Sequence, residues 1–179
     1  ELQESILRDM GYEFEMLNFA TVTGKPLQEY LTICKKKVNP NLSIPQGVKQ
    51  FLALLKMVEY LDSYNDVYLE KAGFEVEHGS FKRAREDFFA DMRAATSLSE
   101  ITAAYKQGMR VLNELPINEP VDPIRIGIIG DYFTAADAHS NLGIEEKFID
   151  MGVSLARYMN ITHRNLHYNE ENLRRGISE

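Results

Sequence analysis

A single cysteine, Cys34, in 179 residues excludes an internal disulfide and any metal site built on four thiolates. No apolar run approaches the roughly 20 residues needed to cross a bilayer, and no signal-peptide pattern opens the chain. A basic excess is missing too. The 20 lysines and arginines face 27 aspartates and glutamates, for a net charge of −7, so a nucleic-acid backbone is not an expected partner. These absences lead us to expect a cytoplasmic protein that meets neither nucleic acid nor membrane. No initiator methionine or capping residue precedes the helical pattern of Glu1–Gly11, and Arg174-Arg175-Gly176-Ile177-Ser178-Glu179 carries no closing element. Both ends are therefore expected to be cut from a longer protein.

Nucleotide signatures are likewise lacking. Gly127-Ile128-Ile129-Gly130 has no third glycine of a dinucleotide fingerprint, and Gly24-Lys25-Pro26 is not a phosphate-binding P-loop. Spacing alone assigns no Ser-His-Asp, Cys-His or paired-carboxylate arrangement, so the catalytic residues are unknown at this level. His163 and His167 share one face if helical, but no third ligand follows, and helix-face histidines are usually just solvated. No metal is expected in this chain. Cys34, among Tyr30, Leu31 and Val38, reads as a buried, inert thiol. Lys35-Lys36-Lys37 and Lys82-Arg83-Ala84-Arg85 read as solvated helix faces.

What the chain does hold is helical periodicity between two short α/β patterns, and its 44% hydrophobic content is enough to bury a core in one or two domains. Leu2, Ile6, Leu7 and Met10 line one helix face, Gly11 ends it, and Tyr12 to Phe19 alternates like a strand. Leu27 to Val38 is helical by spacing until Asn39-Pro40 breaks it. A long helix follows from Pro45 to about Lys71, with Val48, Phe51, Leu52, Leu55, Val58 and Leu61 on its stripe. Gly73 and Gly79 bracket a break. Ser80 is expected to cap a third helix carrying Phe81, Ala84, Phe88 and Met92, and Ser97-Leu98-Ser99-Glu100 opens a fourth as a capping box. Pro116, Pro120 and Pro123 make a stiff linker.

The stretch after that linker carries the most information. Ile124 to Gly130 is a β-branched run ending on glycine; a polar loop, an amphipathic helix and Gly152 lead to a second β-type run at 153–159. We expect buried strands at Ile124–Gly130 and Phe14–Asn18, with 153–159 parallel to the former through a right-handed crossover. Asp-Met-Gly recurs at 9–11 and 150–152, each time between a helix and a strand pattern. The expected architecture is helix-rich α/β: the end of one lobe at 1–24, a helical segment at 25–116, and the start of a second lobe at 117–179. In a βαβ unit, ligands collect at the carboxyl end of the strand. The candidate ligand-binding residues are therefore Gly130, Asp131, Tyr132, Thr134, Ser140 and Asn141. Each has a plainer reading beside it: Gly130 as a turn glycine, Asp131 as a turn aspartate bonding its own backbone, Ser140 or Asn141 as the helix N-cap.

The segment Ile124-Arg125-Ile126-Gly127-Ile128-Ile129-Gly130-Asp131-Tyr132-Phe133-Thr134, with Ser140-Asn141, Ile144-Glu145 and Met151-Gly152-Val153 after it, resembles the 2-hydroxyacyl-CoA dehydratase family. The nearest branch is the D-component-like proteins related to CoA-substrate-specific enzyme activases. Leu112 to Pro116 and Ala53 to Asp62 add to the likeness. Asp131 stands where the family has glutamate, and Asp137-Ala138-His139 where Glu-Pro-Phe is usual. The resemblance implies two Rossmann-like lobes joined by helices, a cysteine-bound [4Fe-4S] cluster, electrons from an ATP-driven activator, and reversible dehydration of a 2-hydroxyacyl-CoA. With Cys34 alone, the chain carries none of the cluster motif, so any cluster is expected in the full-length parent and no cofactor in this fragment. The expected role is a scaffold for a CoA-thioester or iron-sulfur pocket, inactive by itself. Two other readings stand beside it. One is a non-enzymatic α/β assembly domain docking an activator or partner subunit; the other is a response-regulator-like sensing domain, which the helix-rich middle does not suit.

Overall fold

A computed structural model describes residues 2–14, 32, 33, 35, 36, 39–131, 134, 135, 137, 139–158 and 160–162. The chain divides into two compact units, residues 1–49 and 50–179. In the first, α1 (Leu2–Asp9) ends as its sequence demands. Gly11 takes a left-handed φ of 84°, its N–H bonds to Arg8 O at 2.9 Å and that of Tyr12 to Leu7 O at 3.1 Å. This is the Schellman pairing that closes a helix on glycine. Tyr12, Glu13 and Phe14 then run in irregular chain, not in a strand, and the rest of the expected Phe14–Asn18 strand lies outside the described residues. Of the expected helix at 27–38, Thr32, Ile33, Lys35 and Lys36 are helical; Cys34 lies outside the described residues.

The long helix, α2, spans Ile44–Lys71. Ser43 and Gln46 start it. The Ser43 Oγ accepts from the Gln46 N–H at 3.4 Å while the Gln46 Oε1 accepts from the Ser43 N–H at 3.4 Å, a capping box that Ser-x-x-Gln encodes. A one-turn 3-10 helix (Ala72–Phe74) ends the run, followed by α3 (Ser80–Ala94) and α4 (Leu98–Glu114). The Ser97/Glu100 capping box of α4 forms as expected. Ser80 does not cap α3: Gly79 holds that position at φ 78°, and Ser80 is already helical. Glu75 takes over the task from the preceding turn, accepting from the Gly79 N–H at 2.6 Å and the Phe81 N–H at 3.1 Å. The linker after α4 is pinned along 74–76, with the Asn118 N–H on Phe74 O at 2.8 Å and the Val76 N–H on Pro116 O at 3.2 Å.

The second unit is completed by β1 (Arg125–Ile128), α5 (Ile144–Asp150) and β2 (Ser154–Arg157). The strands pair parallel, Arg125 with Ser154 through Ile128 with Arg157. The result is a helix-rich α/β arrangement with a small two-stranded parallel sheet. β1 is shorter and more open than the buried 124–130 strand expected from its apolar run. Ile124 and Ile129 are 67% and 77% exposed, and the strand alternates exposed and half-buried, because only one face of the sheet meets the core. α5 ends at Gly152, left-handed at φ 73° like Gly11, so the repeated Asp-Met-Gly marks two helix stops of the same kind.

The core of this unit centres on α2, but not on the whole expected stripe. Tyr64, Tyr68 and Leu69 are buried, whereas Leu52 is 55% exposed. Tyr64 stacks on Phe88 with ring centres 3.9 Å apart, and Tyr60 on Tyr105 at 4.0 Å. Two glycines permit the closest approaches. A Cβ on Gly108 would fall 2.4 Å from the Phe88 ring, and one on Gly73 would fall 2.4 Å from Val153 O. The first lets α3 and α4 meet; the second seats the residue that enters β2. Among the described residues, no helix is long and apolar enough to cross a membrane.

Candidate functional site

The βαβ unit is held down by two adjacent acids on the first turn of α5. Glu145 Oε1 accepts from Arg157 Nε at 2.8 Å, tying α5 to β2, and Glu146 pairs with Arg85 of α3 at 2.7 Å. The Arg85 guanidinium also lies over the Tyr68 ring, 4.2 Å from its centre. Acids at a helix start are favoured by its dipole, so the same two residues help begin α5 and fix its place.

The expected ligand residues lie on the connection from β1 to α5. Gly130 and Asp131 are exposed just past the strand, and Gly130 does not need the left-handed region. The Ala135 N–H bonds to Asp131 O at 2.8 Å, making 131–135 one turn with Thr134 exposed on it and Ala135 buried. Tyr132 lies outside the described residues. Ser140 and Asn141 belong to a second turn. Asp137 Oδ2 accepts from the Ser140 N–H at 2.9 Å and its hydroxyl at 2.6 Å, and these bonds hold the Asp137 carboxyl below its usual range. Neither Ser140 nor Asn141 is the N-cap of α5. Leu142 and Gly143 are both left-handed, at φ 58° and 65°, which starts the helix at Gly143 instead. Asn141 Oδ1 accepts from the Gly143 N–H at 3.0 Å, while its Nδ2 is buried with no hydrogen-bond partner. The structure thus gathers Asp137, Ser140 and Asn141 into one turn and leaves Gly130, Asp131 and Thr134 on another.

A different place forms a concavity. A cleft of about 400 Å³ opens where α2 borders the sheet, with Asp66 and Glu70 on the helix and Arg125, Ser154 and Arg157 on the strands. Partial burial, the neighbouring Asp62 carboxylate and, acting against them, the Arg157 charge leave Asp66 above the ordinary carboxylate range. Asp62 itself accepts from the Thr162 N–H at 2.7 Å and hydroxyl at 2.6 Å. Arg125 is paired with Glu119 at 3.3 Å. Sequence alone did not point here. The spacing of Asp62, Asp66 and Glu70 at successive helical turns is readable, but the strand residues reach the helix only through the parallel register.

Among the described residues, no group of three or more His, Cys, Asp or Glu side chains is placed to hold a metal ion. His78 is exposed, with Nδ1 3.4 Å from Glu75; His163 and His167 lie outside the described residues. Compared with protein-family models, curated proteins and solved structures, the chain matches none.

Proposed function

We propose that this chain is part of a 2-hydroxyacyl-CoA dehydratase-like protein of the D-component-like, activase-related branch, and that it scaffolds a CoA-thioester pocket. The supporting observation is that the segment carrying the resemblance, 124–153, folds as a strand, loop and helix leading into a parallel strand. Two Rossmann-like lobes are part of this reading, the first represented by α1 and its left-handed Gly11. The ligand end is the β1–α5 connection, where Thr134 and Ser140 offer hydroxyls and the turns offer backbone N–H groups for a CoA phosphate. Asp131 and Asp137 oppose an anion, so binding by this chain alone is weak. A cubane cluster typically needs four thiolates and the chain has one cysteine, so a cluster of the parent protein is held by residues other than these. The fragment is colourless and catalytically silent.

The test is a calorimetric comparison of a 2-hydroxyacyl-CoA with the same acyl group on N-acetylcysteamine, which lacks the phosphates. The reading expects the CoA ester to bind and the short thioester not to. Equal binding, or none at millimolar concentration, overturns it.

A second reading, an assembly domain that docks an activator or partner subunit, is favoured by one feature. An open groove of about 380 Å³ between α2 and α3 is lined by Met57, Leu61, Phe89 and Met92, an apolar surface of the kind that receives a partner helix.

A further inference from the structure

β1 is the bare strand of the sheet. Val153, Ser154 and Leu155 are buried where β2 begins, whereas Arg125, Gly127 and Ile129 are exposed. The Ser154 and Tyr158 N–H groups bond to Ile124 O at 2.9 Å and Ile128 O at 3.1 Å, so the even-numbered residues turn their backbone toward β2. Strand geometry sends the N–H and C=O of Arg125, Gly127 and Ile129 the other way. Among the described residues those groups have no hydrogen-bond partner. Edges of this kind are normally blunted by proline, a bulge or charge. β1 contains no proline and pairs in unbroken register; its one charge is Arg125. Exposed Val121, Ile124 and Ile129 flank it, with Tyr158 alongside. Unpaired backbone groups bordered by apolar side chains are what an added strand covers.

We propose that this edge pairs antiparallel with the same edge of a second copy of the chain, Gly127 facing Gly127 across a two-fold axis, which joins the sheets of both copies into one. The register is self-complementary. Gly127 exchanges both bonds with its counterpart and Arg125 with Ile129 of the second copy, so every outward group is used. Charge selects the same arrangement. Antiparallel pairing lays the Arg125 end of each strand against the Asp131 end of the other, where a parallel pairing would set arginine beside arginine. The Arg125–Glu119 pair is open to water, with side chains 61% and 38% exposed, and such pairs hold little energy; the guanidinium can therefore be shared with Asp131 of the second copy. A two-stranded sheet is marginal by itself, and the pairing removes an exposed edge from each copy.

Sedimentation equilibrium and hydrogen exchange on the purified chain test this together. A mass twice that of one chain is expected. The amides of Arg125, Gly127 and Ile129 should exchange more slowly as concentration rises, while those of Ile126 and Ile128, already turned toward β2, should not change. Ile129→Lys sets a lysine opposite Arg125 of the second copy. Ile129 is 77% exposed, so the variant folds, which circular dichroism checks. Its dimer dissociation constant should rise at least about tenfold, because the like-charge contact occurs on both sides of the axis. A monomer at millimolar concentration overturns the proposal. So does a dimer that I129K leaves intact, or one in which the amides of Arg125, Gly127 and Ile129 stay unprotected, since the copies would then meet elsewhere.

Discussion

Arg157 and Glu145 form a pair that is almost sealed from water: their side chains are 12% and 11% exposed, and Arg157 Nε lies 2.8 Å from Glu145 Oε1. It links the last residue of β2 to the start of α5, so it holds the βαβ unit closed at the carboxyl end of its strand. Removing one partner leaves the other charge stranded in a poorly solvated place. Glu145→Ala should therefore lower stability by about 3 kcal/mol, measured by urea unfolding at neutral pH. Adding Arg157→Met should recover part of that loss. A single-variant loss no larger than that of an exposed pair would contradict the assignment.

Gly108 presents a contest between backbone and packing. Alanine gains about 1 kcal/mol of helix propensity over glycine in a helix interior, but its Cβ would stand 2.4 Å from the Phe88 ring. Overpacking of this kind costs about 1–3 kcal/mol, and Phe88 is locked by its stack on Tyr64. Gly108→Ala should lower the thermal midpoint. Gly73→Ala should lower it further, since its obstacle is the Val153 backbone and not a ring that turns aside.

Tyr64 and Tyr68 make stability fall at high pH. Burial pushes both phenols up to about 12, against an ordinary value near 10. A raised acid is still protonated in the fold where the unfolded chain has ionised. Its contribution is thus fully present below pH 10 and lost as pH rises toward 12, on the order of 2 kcal/mol for each residue. Urea midpoints should drop across that window, and Tyr64→Phe should flatten the drop. At pH 7 the same variant should be as stable as the parent or more so, because the Tyr64 hydroxyl is buried with no hydrogen-bond partner.

Glu75 supplies the cap that Ser80 does not. Its carboxylate receives two backbone N–H groups at the start of α3. Glu75→Ala should cost about 1–2 kcal/mol, whereas Ser80→Ala should cost little through capping. Comparable losses from both would restore serine as the cap.

Local chemistry explains which elements were legible from the residues. The α4 capping box, the Gly11 stop and the parallel pairing of 154–157 with 125–128 all follow from neighbours in sequence or from a single crossover. The inner face of α2 was only partly legible, because tyrosines carry much of it and an apolar-only count favours Leu52, which is exposed. The Arg85–Glu146 pair spans 61 positions, and Gly73 meets Val153 across the fold; neither leaves a periodic trace. Successive left-handed residues at 142 and 143 displaced the helix start from Ser140 and Asn141, a turn geometry that Leu142 does not advertise. The carboxylate cleft was missed for the same reason as the long pair: its two walls meet only in three dimensions.

The most direct test of the central claim is to map the amide shifts that a 2-hydroxyacyl-CoA produces. The account predicts saturable movement within 130–141 and the adjoining end of β1, with the helices between 45 and 115 unmoved. Shifts confined to those helices, or none at all, would contradict the assignment of the β1–α5 connection as the ligand end of the unit.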